Sequence, residues 1–353
     1  MKGLVLSGGY GTGVRPLTYS QQKQLIPVAN KPILFYTIED LISAGIKDIG
    51  IVVGPNKEQV IKAVESKKWD ANFTFINQPQ PLGLAHAIKI SENFLENNNF
   101  VMYLGDNILK GGIAEYVKEF SKSEEDAFIL LTEVENPQRF GVAQLDKNGN
   151  VIKLIEKPKS PPSNLALVGI YMFKPIVFEA VKNIKPSWRN ELEITDAIQW
   201  LIDKGYKVKA KIVKGWWKDT GRPEDILDAN RLVLDEIERD IRGNVEEGCV
   251  IKGRVKIGEG SVIKGNSVLK GPCIVGNNCL IENSFIGPYT SIGNECKIIN
   301  SEIEDSIIMD GSEIDSAGRI IDSLIGKEVS ITKDSKIIKG FKLVLGDKSK
   351  VLI

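Results

Sequence analysis

Histidine is almost missing from the 353-residue chain, with His86 the single example. Any mechanism that needs two imidazoles is excluded, and with it the usual histidine metal clusters. Cysteine is nearly as scarce. Cys249, Cys273, Cys279 and Cys296 show no C-x-x-C pairing and all fall in the last third. They read as reduced, small buried residues of a cytoplasmic protein rather than as a zinc site. An excess of one charge is also absent, since Lys+Arg and Asp+Glu each count 46. Nothing global therefore holds a polyanion or an anionic membrane, which argues against nucleic acid as a main partner and still allows a local basic site for small phosphates. No apolar run approaches the ~18–20 residues that span a bilayer. The opening MKGLVLSGGYG reaches its glycines too early for a secretory apolar region.

What is present is ordinary globular material, 42% hydrophobic and 26% charged, in a chain longer than the ~250–300 residues at which one core stops growing. Two domains are expected, and the pattern changes along the chain to match. GLVLSGG, KDIGIVVGP, ANFTFINQ, FVMYLGDN and AFILLTEV read as buried strands, with helix-like apolar spacing near 31–44, 56–67, 83–95 and 112–122. That alternation predicts an α/β layer fold with a mainly parallel sheet, whose ligands sit at the carboxyl ends of the strands. From about 245 the pattern is different. Ile257, Ile263, Leu269, Val275 and Ile281 recur with period six, and Ile286, Ile292, Ile298 and then Ile325, Ile331, Ile337 resume it. Gly258, Gly276, Gly287, Gly293 and Gly326 follow their aliphatic neighbours. A hexapeptide period with inward aliphatics predicts a parallel β-helix. The boundary is expected near Gly243, after LDEIERDIRG read as a polar helix, giving domains 1–243 and 244–353.

The first strand runs into Ser7-Gly8-Gly9-Tyr10-Gly11-Thr12-Gly13-Val14-Arg15-Pro16-Leu17-Thr18. Such glycines let the backbone approach a phosphate or a base, and consecutive N–H groups make an anion nest. A P-loop is excluded because no G-K-[S/T] ends the loop. A dinucleotide fingerprint is excluded because Val14 stands at its third glycine. The stretch resembles the G-G-x-G-T-R-L-x-P-L-T signature of sugar nucleotidyltransferases. The likeness continues through Gln22-Lys23-Gln24-Leu25-Ile26-Pro27-Val28, Lys31-Pro32, Gln78-Pro79, Gly83-Leu84-Ala85 and Leu104-Gly105-Asp106-Asn107. It resumes at Arg139-Phe140-Gly141-Val142, Ile155-Glu156-Lys157-Pro158, Glu191-Leu192-Glu193-Ile194-Thr195-Asp196 and Trp217-Lys218-Asp219-Thr220-Gly221. The sequence is most similar to the glucose-1-phosphate thymidylyltransferase family, in its long form. The resemblance implies a Rossmann-like catalytic domain followed by a left-handed β-helix.

It also implies a reaction. A phosphate oxygen of a sugar 1-phosphate attacks the α-phosphorus of a nucleoside triphosphate, and pyrophosphate leaves. The nucleophile is already an anion, so no general base is needed, which suits a chain with one histidine. Catalysis then rests on in-line positioning and charge neutralisation, work that Mg²⁺ performs with hard oxygen ligands. By resemblance, Asp106 and Asp219 hold Mg²⁺, Lys23 contacts the triphosphate and Lys157 the sugar phosphate. Lone aspartates after strands also serve as caps and turn formers, and surface lysines as solvated charges. Glu156 and the backbone of Gly141 would bind sugar hydroxyls, with Val168 lining the pocket where a Thr is often found. Gln78 and Gly83, with Leu6 and Gly8, would take the base, and Gly9, Gly11 and Thr12 belong to the nucleotide loop. The imide edge is common to thymine and uracil, so dTTP and UTP both stay open.

One departure stands out. The family's Arg after G-T, which meets the triphosphate, is Gly13 here, and Arg15 lies two residues on. Arg15 is taken as its substitute, while a slow or non-catalytic sugar-nucleotide binding protein is carried as a rival. Glu191–Asp196 is expected to start a helix rather than to form a second acidic site. No histidine follows His86, so histidine-dependent acetyl transfer by the β-helix is not expected, and His86 itself is given no role. The β-helix is read as an oligomerising or regulatory module of a homo-oligomer.

Overall fold

Alternate residues of the first apolar run face opposite ways, and that fixes the core of the amino-terminal part. In the computed structural model, which describes residues 1–333 and 345–352, the strand Lys2–Ser7 is central. Leu4 and Leu6 enter one apolar cluster with Ile88, Phe178 and Ile198, while Val5 enters another with Leu34, Ile38 and Val60. Burial on both faces explains why these strands are continuous apolar runs and not alternating ones. Lys2–Ser7 pairs in parallel with Asp48–Val53 and with Phe100–Leu104, and Asn72–Asn77 extends the parallel set. Leu165–Phe173 then pairs antiparallel with Phe100–Leu104 and with Ala127–Glu133, so the sheet is mixed. Helices Ile33–Ser43, Lys57–Glu65, Leu84–Ile90 and Ala114–Lys122 occupy the four predicted stretches.

By contact density this first unit comprises Met1–Gly11, Gln21–Leu25 and Ile33–Asp219. The second comprises Thr12–Ser20, Ile26–Pro32 and Thr220–Ile353. In the second unit Val255–Ile257, Cys273–Val275 and Thr290–Ile292 stack in parallel, each pairing with the next turn of the coil. The same stacking links Val262–Lys264, Leu280–Glu282 and Lys297–Ile303 on a second side, and Val250–Lys252, Val268–Lys270 and Phe285–Ile286 on a third. Three hexapeptides thus make one coil, consistent with a left-handed parallel β-helix. Ile257, Ile263, Leu269, Val275, Ile281, Ile286, Ile292 and Ile298 all point inward and are buried, whereas Ile325 and Ile331 are partly buried against them. Ile337 lies outside the described residues.

Corner hydroxyls lock the coils. The backbone N–H groups of Ser284, Ser301 and Ala317 donate to Ser267, Ser284 and Ser301 Oγ, each at 3.2 Å. All four cysteines are free, with Cys273, Cys279 and Cys296 buried and Cys249 half-buried. One expectation is corrected. LDEIERDIRG is not a helix, because the helix Pro223–Leu234 ends at its first residue. Asp240–Ile241 already pairs with Lys256–Ile257, so ladder hydrogen bonds of the β-helix replace those of a helix. No helix of the described residues is long and apolar enough to cross a membrane.

Candidate active site

Strand Phe100–Leu104 delivers Asp106 to the sheet edge through Gly105, whose N–H donates to the Leu6 carbonyl at 2.9 Å. There Lys23 Nζ meets Asp106 Oδ2 at 2.5 Å, and Asn107 Nδ2 donates to Oδ1 at 2.8 Å. Burial pushes the Asp106 pKa up, but the Lys23 ammonium and the Asn107 amide outweigh it and hold the carboxyl below its ordinary value. Lys23 is aimed by its neighbour. Gln22 is buried and donates from Nε2 to the Ser7 carbonyl at 2.9 Å and to Gln24 Oε1 at 2.8 Å. Ser7 Oγ, at the end of the central strand, is buried and has no partner among the described residues.

Asp219 ends the strand Trp217–Asp219, which pairs antiparallel with Asn107–Leu109 and sets Asp219 opposite Asn107. Trp217 Nε1 donates to Asn107 Oδ1 at 2.7 Å and pins the ribbon. Asp106 and Asp219 therefore come to the same end of one two-stranded ribbon. Among the described residues no group of three His, Cys, Asp or Glu forms a closed metal cage. Two carboxylates and a cation already resting on one of them suit Mg²⁺, which takes few protein oxygens and fills its octahedron from phosphates and water.

A second set surrounds Gln78. Its backbone N–H donates to the Val53 carbonyl at 2.8 Å, which places the side chain beside the end of that strand. Gly83 precedes the helix Leu84–Ile90 with φ +103°, and a Cβ there would lie 2.4 Å from the Leu192 carbonyl, so no other residue fits without a shift. Gln78 Nε2 lies 2.9 Å from His86 Nδ1, a contact that spacing alone did not reveal. Burial, with the Lys89 charge, lowers the His86 pKa below its ordinary value. Leu6 lies near the end of the central strand and Gly8 directly follows it, both buried, and the exposed part of the loop begins at Gly9.

The third set centres on Glu156. Arg189 Nη1 reaches Glu156 Oε1 and Glu193 Oε1, each at 3.4 Å. Thr195 Oγ1 donates to Glu156 Oε2 at 3.5 Å. Burial, with the neighbouring Glu193 charge, pushes the Glu156 pKa up despite Lys157 and Arg189. Gly141 keeps this corner open, since a Cβ there would come within 3.1 Å of Glu156 Oε2. Lys157 is exposed, with φ +43°. Glu193 stands at the N-cap of the helix Ile194–Asp203, so the acidic run starts a helix as expected. Val168 is a correction in kind. Its side chain is fully buried among Val5, Leu34 and Tyr103, part of the core rather than a pocket wall.

Residues 2–236 match the family described as nucleotidyl transferase, and residues 269–352 match the GMPPB C-terminal domain. The chain belongs to the nucleotidyltransferase family. Among its relatives is a glucose-1-phosphate thymidylyltransferase of Streptomyces griseus, 46% identical over 100% of this chain and 99% of that one. Another, of the same name, comes from Streptomyces antibioticus, at 48% identity with the same coverage of both chains. A provisionally named glucose-1-phosphate thymidylyltransferase from Bacillus anthracis, solved with a sucrose, superposes with TM-score 0.63. It is 36% identical over 68% of this chain and 97% of its own.

For a nucleotidyltransferase the glycine-rich loop departs at Gly13, and the second unit gives a steric reason. A Cβ at 13 would lie 2.5 Å from the Gly221 carbonyl, a backbone atom that cannot swing aside. Thr12 and Gly13 open a short 3-10 turn with Val14, which is buried. In the same unit Arg15 lays its guanidinium over Tyr19 at 4.8 Å, and its Nε is buried without a partner among the described residues. Arg189, His86 and Asn107 are among the polar residues at these sets to which motif reading gave no role. Their signal was weak, because each becomes meaningful only through the neighbour it touches.

Proposed function

We propose that this nucleotidyltransferase is a glucose-1-phosphate thymidylyltransferase, transferring dTMP from dTTP to glucose 1-phosphate and releasing pyrophosphate. The reading rests above all on the Lys23–Asp106 pair beside Asp219 at the carboxyl ends of the strands. It agrees with the names of the full-length relatives. Lys23 screens the triphosphate and Lys157 the sugar phosphate, so two polyanions can approach in line. Asp106 and Asp219 would hold Mg²⁺, which supplies charge neutralisation on the transferring phosphoryl oxygens. Arg15 takes over the charge that the family places at 13, with Gly8, Gly9, Gly11 and Thr12 as backbone donors along the nucleotide.

Gln78 and Gly83 read the base, with the Leu6 and Gly8 backbone nearby. Glu156 accepts hydrogen bonds from sugar hydroxyls, Gly141 does so through its backbone, and Val168 contributes only main-chain atoms. Residues 1–243 carry the transfer, and 244–353 form a β-helix that serves assembly of a cytoplasmic homo-oligomer. The decisive assay follows pyrophosphate release with Mg²⁺, glucose 1-phosphate and either dTTP or UTP. Turnover with dTTP preferred is expected. Preference for UTP makes the chain a uridylyltransferase, and product binding without turnover makes it a sugar-nucleotide binding protein.

A further inference from the structure

We infer that His86 is a positioning residue for base selection, holding the Gln78 amide so that its oxygen faces the base. The inference rests on the nucleotide reading given above and goes on to say how that site would reject the wrong base. A glutamine amide has two orientations of nearly equal shape, one offering an acceptor and the other a donor. Here both hydrogens of Gln78 Nε2 have takers, His86 Nδ1 at 2.9 Å and the Gly83 carbonyl at 3.5 Å. The carbonyl can only accept, which marks the end of the amide turned that way as the nitrogen, but at 3.5 Å it is the weaker contact and the nearer imidazole does the holding. Gln78 Oε1 is left facing Gly8, 3.1 Å from where a Cβ would stand. No donor among the described residues reaches it.

An acceptor at that position matches a base that presents a ring N–H, as thymine and uracil do at N3. Cytosine presents a lone pair there instead, and the two acceptors would repel. Flipping the amide to suit cytosine would turn Oε1 onto the His86 lone pair and the Gly83 carbonyl together. The imidazole therefore sets the sign of the hydrogen bond that the site offers. The backbone that carries it is fixed. Ala85 and Ala87 on either side of it are buried, and the Ala85 N–H donates to the Leu192 carbonyl at 3.0 Å. A neutral ring is required, and the depressed His86 pKa is in the right direction for that.

The test compares His86→Leu and His86→Asn with the unaltered chain, measuring kcat/KM for dTTP, UTP and dCTP with glucose 1-phosphate. Losing the acceptor frees the amide to flip, so His86→Leu should narrow the dTTP-to-dCTP ratio about tenfold or more, with KM for glucose 1-phosphate unchanged. Asn carries an oxygen where Nδ1 stood, so His86→Asn should restore the ratio, which a merely structural role would not. A dTTP-to-dCTP ratio in a folded His86→Leu equal to that of the unaltered chain overturns the inference. Because His86 is the only histidine, isotope-labelled histidine gives a single imidazole signal in the unaltered chain and needs no folded variant. A neutral ring protonated on Nε2 supports the inference, and one protonated on Nδ1 refutes it. If the chain turns over neither dTTP nor UTP, the nucleotide reading fails, and the tautomer still decides the Gln78 contact on its own.

Discussion

The two regions hold their polar groups by opposite strategies. In the β-helix one interaction is repeated, as Ser267, Ser284 and Ser301 each take the N–H of the next coil. At the sheet edge nothing repeats. Lys23 comes from a short turn, Asp106 from a strand end and Asp219 from a crossing ribbon, each aimed by a different neighbour. Repetition spreads stability over many equal contacts, so no single corner is indispensable. An aperiodic site concentrates its effect in a few atoms, so one change there should cost far more in rate than in folding.

Four substitutions sharpen or break that contrast. Asp106→Asn should lower kcat by about 10³-fold, equivalent to about 4 kcal/mol, while the unfolding midpoint stays close to that of the unaltered chain. Steady-state rates beside a thermal melt measure both halves of that statement. Ile281→Ala should do the reverse. Its side chain is fully buried in the β-helix, so truncation should cost about 2–5 kcal/mol in a denaturant titration and leave turnover in the native range nearly unchanged. A large rate loss in that variant would break the contrast.

Gly13→Arg comes next in size. The approach of the Gly221 carbonyl makes any side chain at 13 shift backbone, at about 1–3 kcal/mol. Restoring the family's Arg should therefore destabilise the chain without raising kcat, and a faster enzyme would show that Arg15 is no substitute. The smallest effect is on pH. Burial and, after it, the Glu193 charge raise the Glu156 pKa, so Glu156 takes up its proton earlier on acidification than an ordinary glutamate. Removing the charge in Glu193→Gln lowers that pKa, extends the ionised form downward and should move the acid limb of kcat/KM to lower pH. A limb that moves upward contradicts the assignment.

Legibility in the sequence followed the same division. The hexapeptide period announced the β-helix because its physics repeats, and Ile257 through Ile298 are buried as the period requires. The buried strands were equally plain, since apolar runs covered on both faces leave little else to be. The helix was misread at LDEIERDIRG because charged, helix-favouring residues there lead into Asp240–Ile241, whose backbone pairs with the β-helix instead. Site residues were recoverable only as motifs. Arg189 and His86 escaped because their meaning lies in Glu156 and Gln78, each fixed by a different strand. Val168 was legible as a position but not as a core side chain, which depends on the helix that covers it.

The second unit is discontinuous, and that has a consequence for recombination between relatives. It gathers Thr12–Ser20 and Ile26–Pro32 together with everything from Thr220 onward. Within it the Ala29 N–H donates to Asn230 Oδ1 at 2.9 Å, and Asn30 Nδ2 donates to the Ile292 carbonyl at 2.6 Å. The seam along which a β-helix could be exchanged therefore does not run through Gly243 alone. A chimera spliced there inherits early loops shaped for another parent's coils, and only exchanges that carry 12–20 and 26–32 along with the carboxyl-terminal half keep the unit intact.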